Sequence, residues 1–429
     1  MKKKTKKNQP NLILKMTGMA FGGRAVARKE GKVYFVENAI EGDEAEISIV
    51  KDKPQYSEAT VAKIIKESPH RIKSPCIYSD MCGGCPWISA DYEKQKEWKE
   101  GFVKDSILRI GGIEDFPQIK FYPPDLRFNY RNRIQLRLEG GAVPNLGYFS
   151  RSTRSLVPIT GCKVAHDSIN DMIARIVNEG SIKIRGRIKA EFIVIHDGRL
   201  IITLTREDRP SKSDTAILKE YFDKDKMVAL CCTPEDENSS RFLLLEKDLG
   251  IEYYTGALQF QQINSGQNQL LRRLCLNWIS RLNPSTVLDL YCGSGNLSLP
   301  LSKAGREIIG VEGNSKSVEC ARFNIEKNSL EGFTFISENV SEYLDTDHGH
   351  SGRRTAVICD PPRSGMGECI EPLIKMLPDS ILYVSCDPVT LSRDLARLYK
   401  GGYEIIDLNV LDFFPHTYHV ETFAVLSRK

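Results

Sequence analysis

The chain lacks several features that would define whole classes of protein. It contains no run of about 18 apolar residues, the length that a helix needs to span a bilayer, so we expect no membrane segment. Its 60 basic and 56 acidic residues give a net charge of only +4 over 429 residues, so overall basicity does not indicate a nucleic-acid partner. No apolar segment follows the early lysines, which argues against a signal peptide and for a cytoplasmic protein. These lysines form a tail that either binds polyanions or is simply solvated: Lys2, Lys3, Lys4, Lys6 and Lys7.

The twelve cysteines are scattered, and without a secretory signal they indicate thiols, metal ligands or catalytic groups rather than disulfides. Three of them form the compact pattern C-x5-C-G-G-C at Cys76, Cys82 and Cys85, and Cys162 lies further on. Four-cysteine sites hold zinc or iron–sulfur clusters. The second C-x2-C knuckle of a zinc ribbon is absent, which favours a [4Fe–4S] cluster. Zinc and unliganded thiols are the alternatives.

Three regions follow one another along the chain. Residues 1–68 contain short strand-like runs between glycine-rich turns, which predict a small OB-like barrel. Residues 69–255 contain the cysteine pattern, a helix-like segment from Tyr92 to Ile110 and several strands, and predict a central α/β domain. Residues 256–429 alternate strands and helices, which predicts a parallel sheet with crossover helices.

A strand-like run ending in D-L-Y-C-G-S-G-N marks a cofactor site in the third region. Glycines at such a turn let the backbone approach a ligand closely. The next strand ends at Glu312, about 20 residues further on, where a carboxylate can bind ribose hydroxyls. The third glycine of the dinucleotide fingerprint is missing. The segment instead resembles motif I of class I methyltransferases, which bind S-adenosylmethionine.

The run Ile381–Pro388 places Cys386 at the end of an apolar strand, where α/β enzymes hold reacting groups. Carbon 5 of a pyrimidine has no lone pair with which to attack a methyl group. A thiolate that adds to carbon 6 makes carbon 5 nucleophilic, and a separate base must then remove the carbon-5 proton. Cys386 and Glu421 fit these two roles.

The motifs F-Q-Q-I-N, D-L-Y-C-G-S-G-N, G-V-E, D-P-P-R-S-G-M, V-S-C-D-P and H-V-E-T resemble, in this order, the RNA 5-methyluridine methyltransferase family. The segment from Gly18 to Asp43 resembles the TRAM domain, and C-x5-C-G-G-C resembles the cluster signature of the iron–sulfur branch, the 23S rRNA uracil-C5-methyltransferase type. The expected fold is a TRAM barrel, a central iron–sulfur and RNA-binding domain, and a C-terminal class I Rossmann-like methyltransferase domain.

The resemblance implies a role for each matching residue. Cys386 is the expected nucleophile and Glu421 the expected base. The expected metal ligands are Cys76, Cys82, Cys85 and Cys162. Asp360 is expected to hold the cofactor or orient the uracil, and the other expected contacts to S-adenosylmethionine are Gln262, Tyr291, Asn296, Glu312 and Asn339.

The expected substrate is a uridine in structured RNA, with 23S rRNA favoured over tRNA, and the expected state is a monomer. A cysteine enzyme of the 5-methylcytosine type would carry a second cysteine at Pro362, which argues for uracil. Two rivals remain. One is an enzyme that methylates exocyclic amines, because D-P-P-R resembles the D/N-P-P-Y loop of such enzymes. The other is a catalytically idle RNA-binding factor.

Overall fold

The structure is a computed structural model that forms two compact units. The first contains the described residues up to Phe102 together with His416–His419, and the second contains Val103–Pro415 and Val420–Lys429. The predicted three-part division at residues 68 and 255 stays a prediction, and the basic tail lies outside the described residues. These residues are 12–141, 145–150, 153, 155–178, 182–205, 227–231, 242–257, 259–302, 305–346 and 354–429.

Six strands form the barrel of the first unit, in the order β1-β5-β6-β4-β3-β2. Strands β4 and β6 pair in parallel and the other neighbours are antiparallel. The N–H of Thr17 donates to the carbonyl of Val26 (2.7 Å), which brings the chain after β1 to β3. The strands are β1 (Leu12–Lys15), β2 (Gly18–Met19), β3 (Ala25–Lys29), β4 (Lys32–Glu37), β5 (Glu44–Asp52) and β6 (Tyr56–Lys66).

Alternation of buried and exposed residues along these strands fills the barrel with small and aliphatic side chains. In β3, for example, Ala25 and Ala27 are buried. Helix α1 (Tyr92–Ser106) begins in this unit, where Trp98 packs edge-on against Trp87. A π-helical turn (Ile107–Gly111) follows directly, so the predicted helix from Tyr92 to Ile110 is confirmed.

The second unit contains a six-stranded sheet in the order β10-β9-β8-β11-β12-β13. Strand β7 (Lys120–Tyr122) precedes it and joins a different sheet. Helix α2 (Asp167–Asn178) buries Ile169, Met172, Ile173 and Ile176. A separate hairpin, β14–β15, follows. The strands are β8 (Arg133–Gly141), β9 (Asn145–Phe149), β10 (Leu156–Pro158), β11 (Ile182–Val194), β12 (Leu200–Thr205), β13 (Met227–Cys231), β14 (Leu243–Asp248) and β15 (Ile251–Thr255).

The remaining chain alternates strands and helices, as predicted. The helices are α3 (Ser265–Leu282), α4 (Ser315–Lys327), α5 (Val340–Leu344), α6 (Ile370–Met376) and α7 (Pro388–Lys400). The strands are β16 (Thr286–Leu290), β17 (Glu307–Glu312), β18 (Phe333–Ser337), β19 (Thr355–Cys359), β20 (Ser380–Ser385), β21 (Tyr403–Leu411) and β22 (Glu421–Arg428).

These strands form an eight-stranded sheet in the order β18-β17-β16-β19-β20-β22-β21-β7. Strands β16 to β20 are parallel, and β22 runs antiparallel to both β20 and β21. Every residue of β16, β19 and β20 is buried, as expected for parallel strands covered by helices on both faces. In the part of the chain that the structure describes, no helix is long and apolar enough to cross a membrane.

Candidate active site

The predicted site residues gather at one edge of the eight-stranded sheet. Tyr291 follows β16, Glu312 ends β17, Asp360 follows β19 and Cys386 follows β20. The carboxyl ends of parallel strands meet at the same edge, which is where doubly wound folds bind their ligands. Because β22 is antiparallel to β20, Glu421 at its start lies at this edge too.

The glycine loop after β16 has the backbone that its sequence predicted. Gly293 and Gly295 have φ angles of 55° and 86°, in the left-handed region that favours glycine. The N–H of Gly293 donates to Oε2 of Glu312 (3.2 Å), and the N–H of Asn314 donates to Oε1 (2.8 Å). A carboxylate has further lone pairs, so Glu312 keeps acceptor capacity for the hydroxyls of a ribose.

A buried carboxylate that we did not single out from the sequence lies in β16. Asp289 is 1 % exposed, and its Oδ2 has no hydrogen-bond partner among the described residues. Burial raises the pKa of Asp289 to about 7; the nearby hydroxyl of Ser298 opposes this increase, and the charges of Asp360 and Glu312 add to it. Such an oxygen suits a cationic or N–H-bearing ligand. The D of D-L-Y-C-G-S-G-N was the signal that could have identified it.

Two of the other predicted cofactor contacts, Asn296 and Asn339, take part in hydrogen bonds that shape the site. Asn296 exchanges two amide hydrogen bonds with Asn268 of α3 (3.0 and 2.9 Å). Asn339 caps α5, and its Oδ1 accepts from the N–H of Ser341 (3.1 Å). Gln262 is half-buried in the segment that leads into α3. Their contacts to a cofactor stay predictions.

Cys386 and Glu421 face each other across adjacent strands. Ser385 pairs with Thr422 in antiparallel strands, so Cys386, which follows Ser385, lies opposite Glu421, which precedes Thr422. Burial raises the pKa of the Cys386 thiol to about 11, the charges of Glu421 and Asp360 add to the increase, and Arg363 lowers it through its charge and a hydrogen bond. Burial also raises the pKa of Glu421 well above its usual value, with Asp360 adding and Arg363 opposing.

Arg363 is the second residue that we did not single out, although D-P-P-R contains it. Its backbone is held by α7, because the hydroxyl of Thr390 donates to the Arg363 carbonyl (3.1 Å). Further along the loop, the buried carboxylate of Asp394 accepts from the N–H of Met366 (2.8 Å) and the hydroxyl of Tyr383 (2.7 Å). The loop therefore presents the guanidinium to the thiol from a fixed backbone.

The described cysteines divide by exposure in a way that matches their predicted roles. The structure describes the side chains of ten cysteines, and all ten are free thiols. The five that are partly exposed are the predicted nucleophile, Cys386, and the four predicted ligands, Cys76, Cys82, Cys85 and Cys162. The five buried ones are Cys275, Cys292, Cys320, Cys359 and Cys369.

The predicted cluster ligands lie in both units, three in the first and Cys162 in the second. The Sγ of Cys82 accepts from the N–H of Gly84 (3.4 Å), and the hydroxyl of Tyr148 donates to the Sγ of Cys162 (3.8 Å). Such donors stabilise thiolate ligands. Among the described residues, however, no group of three or more His, Cys, Asp or Glu is arranged to hold a metal ion. The ligand set therefore stays a prediction.

We expect the activity to rise with pH. With a Cys386 pKa of about 11, the thiolate is a minor species near neutrality, and its fraction increases about tenfold per pH unit. The kcat/KM for RNA should therefore increase about tenfold per unit between about pH 7 and 9. Steady-state kinetics at saturating S-adenosylmethionine measures this slope. Arg363→Ala should lower the whole profile, because the thiol loses the cation that favours its ionisation, and a flat profile would contradict this account.

A doubly wound sheet whose last strand is antiparallel, with a glycine loop after its central strand, places the chain among the class I methyltransferases. The family model for tRNA (uracil-5-)-methyltransferase matches residues 92–429, and the TRAM domain model matches residues 12–62. The chain belongs to the tRNA (uracil-5-)-methyltransferase family, and it is an S-adenosylmethionine-dependent enzyme that methylates uracil in RNA. The predicted family and fold class, and the predicted methylation of uracil with S-adenosylmethionine, are confirmed.

Full-length relatives agree with this assignment. An RNA methyltransferase of Aquifex aeolicus is 31% identical over 99% of this chain and 100% of its own length. The 23S rRNA (uracil(1939)-C(5))-methyltransferase of Haemophilus influenzae is 28% identical over 100% of this chain and 98% of its own. The Pyrococcus abyssi tRNA (uracil-54, C5)-methyltransferase, solved with S-adenosyl-L-homocysteine, superimposes with a TM-score of 0.71, 23% identity and coverage of 97% of this chain and 100% of that one.

Proposed function

We propose that this enzyme methylates carbon 5 of a uridine in 23S rRNA through a covalent intermediate with Cys386. The observation that carries the proposal is that Cys386, Glu421 and Arg363 interact with one another at the sheet edge that also carries the glycine loop. A methyltransferase acting on an exocyclic amine needs neither a thiol nor a second base at that position, since the amine already has a lone pair.

The cofactor contacts that we propose use residues of the loop and its neighbours. Glu312 suits the ribose hydroxyls, and the unpartnered Oδ2 of Asp289 suits the ammonium group of the methionyl part. Tyr291 and Asp360 directly follow the neighbouring strands β16 and β19, and both would contact the cofactor there. When bound, S-adenosylmethionine supplies an electrophilic methyl group and leaves as S-adenosylhomocysteine.

The chain's own groups carry the remaining steps. The Cys386 thiolate, favoured by Arg363, forms a bond to carbon 6, and the electron pair of the 5,6 double bond makes carbon 5 nucleophilic. Carbon 5 takes the methyl group as the sulfonium–methyl bond breaks. Glu421 then accepts the carbon-5 proton, the bond between Cys386 and carbon 6 breaks, and its electron pair returns to the thiolate. The net products are 5-methyluridine, S-adenosylhomocysteine and one proton.

We favour ribosomal over transfer RNA because the 23S rRNA relative matches all of this chain at 28% identity, whereas the tRNA enzyme of known structure is 23% identical. The deciding experiment incubates the protein and S-adenosylmethionine with unmodified 23S rRNA and, separately, with unmodified tRNA. The products are digested and their nucleosides identified by mass spectrometry. We expect 5-methyluridine only in the 23S rRNA. Its appearance only in tRNA would overturn the substrate, and a methylated adenosine or cytidine would overturn the chemistry.

We also propose that Cys76, Cys82, Cys85 and Cys162 hold a [4Fe–4S] cluster, because they and the nucleophile are the described thiols that the core leaves partly exposed. Protein purified without oxygen should be brown, with broad absorbance near about 400 nm, and should contain about four irons per chain. Cys85→Ser should remove the colour, whereas Cys275→Ser, in the buried core, should keep it. Colourless wild-type protein loaded with zinc would contradict the proposal.

The monomeric state stays a prediction, which the elution volume of this protein in size-exclusion chromatography would test.

A further inference from the structure

A buried arginine behind the cofactor loop has no role in the chemistry above. Arg272, on α3, is 1 % exposed. Its Nη2 donates to Oδ1 of Asn296 (2.6 Å), and its Nε donates to the same oxygen (3.0 Å) and to the Asn296 carbonyl (3.2 Å). Two of the arginine's nitrogens thus hold the last residue of the glycine loop at both its side chain and its backbone.

The same guanidinium is fixed from behind by the β14–β15 hairpin. Its Nη2 also donates to Glu246 (2.8 Å), and its Nη1 donates to Asp248 (3.4 Å). The ring of Tyr253 lies against it, with 3.7 Å between the guanidinium carbon and the ring centre. Buried charges are stable only when paired in this way, so the hairpin determines where Arg272 lies.

A second link joins the hairpin to the loop through α4. Asn324 is 1 % exposed; its Oδ1 accepts from the N–H of Tyr254 (2.7 Å), and its Nδ2 donates to the carbonyl of Ser294 (3.2 Å). One turn later, Asn328 accepts from the N–H of Glu252 (2.7 Å) and donates to its carbonyl (2.8 Å). The two amides satisfy the outer edge of β15 as a neighbouring strand would.

We infer that Arg272 is a positioning residue for S-adenosylmethionine: anchored by the β14–β15 hairpin, it holds Asn296 and thereby sets the conformation in which the glycine loop binds the cofactor. The inference rests on the proposed cofactor site. It also gives Asn296, which the sequence predicted as a cofactor contact, an indirect role: its side chain bonds Asn268 and Arg272, so Asn296 acts on the cofactor through the loop.

The test compares Arg272→Lys and Arg272→Met with the wild type by calorimetric titration of S-adenosylmethionine. Lysine keeps the positive charge but lacks the guanidinium group that reaches both Asn296 and Glu246. Because hydrogen bonds to a charged group are strong, we expect the Kd for S-adenosylmethionine to rise about tenfold. Methionine removes every polar contact and should raise it further. The kcat at saturating cofactor and the Kd for RNA should stay within about twofold, because the loop reaches the same bound geometry once filled.

Arg273 provides the matched control. It is the next residue, it also contacts Asp248 (3.6 Å), its side chain is 48% exposed, and it makes no described contact with Asn296. Arg273→Ala should leave the cofactor Kd unchanged. If Arg272→Met does not fold, Glu246→Gln weakens the anchor without touching the loop and should raise the Kd by a smaller factor. Folded Arg272→Lys and Glu246→Gln with wild-type Kd would overturn the inference, whereas a wild type that binds no cofactor would overturn the proposed function instead.

Discussion

Cys386→Ala should abolish methyl transfer and the covalent RNA adduct together. Without the thiolate, carbon 5 of uracil has no nucleophilic character, so the rate should fall by at least about 10⁴-fold, a typical loss when a covalent nucleophile is removed. Binding of S-adenosylmethionine should persist within about twofold, since the loop and Glu312 are untouched. Transfer of a radiolabelled methyl group measures the rate, and a denaturing gel with labelled RNA detects the adduct.

Cys359→Ala is the control for this change. Cys359 also ends a strand at this edge, but it is fully buried, burial raises the pKa of its thiol well above the usual value, and its Sγ contacts the carbonyl of Leu382 (3.7 Å). We expect its variant to keep activity within about threefold at the moderate stability cost of a small core truncation. Methylation by Cys386→Ala above about one per cent of the wild-type rate would rule out the covalent route.

Glu421→Gln should have the opposite effect on the adduct. The amide fills the same buried space but cannot accept the carbon-5 proton, so the reaction should stop after methyl transfer with RNA still bonded to Cys386. Turnover should fall by about 10²- to 10⁴-fold, the usual contribution of a general base. Mass spectrometry of the nuclease-treated adduct should find one methylated uridine on the peptide that contains Cys386.

Two companion variants separate this result from simple inactivation. Glu421→Asp keeps a carboxylate at the start of β22 and should turn over slowly without accumulating adduct. The double variant with Cys386→Ala should form none. If Glu421→Gln releases methylated RNA at the wild-type rate, another group removes the proton.

The sequence predicted the parts of the site that depend on local pattern. Alternating strands and helices indicated the parallel sheet, and the positions of Cys386 and Glu421 at strand ends brought them to one edge, because a doubly wound sheet has only one such edge for its carboxyl ends. The glycine loop could also be predicted from the sequence, because the positive φ angles at Gly293 and Gly295 are a local requirement of that turn.

What the sequence did not reveal depends on contacts between distant segments. The pairing of Arg272 with Glu246 spans 26 residues and that of Asn296 with Asn268 spans 28, and no local pattern specifies either. The proximity of Arg363 to Cys386 depends on how α7 holds the D-P-P-R loop. In the sequence Asp289 is one residue of a buried strand, and only the structure shows that its Oδ2 has no hydrogen-bond partner among the described residues.

Strand β7 has a consequence for how this enzyme can be divided. Its three residues lie over 130 positions before residue 256, where the third region begins, and they pair with Asn409, Val410 and Leu411 along the outer side of β21. Lys120 adds an ion pair to Asp407 (2.7 Å), and the carbonyl of Tyr122 accepts from the N–H of Asp412 (3.1 Å). A fragment starting at residue 256 would carry an uncovered edge strand, which invites pairing between molecules. Exchanging the C-terminal half between relatives therefore requires that this short strand, and the hairpin that anchors Arg272, be transplanted with it.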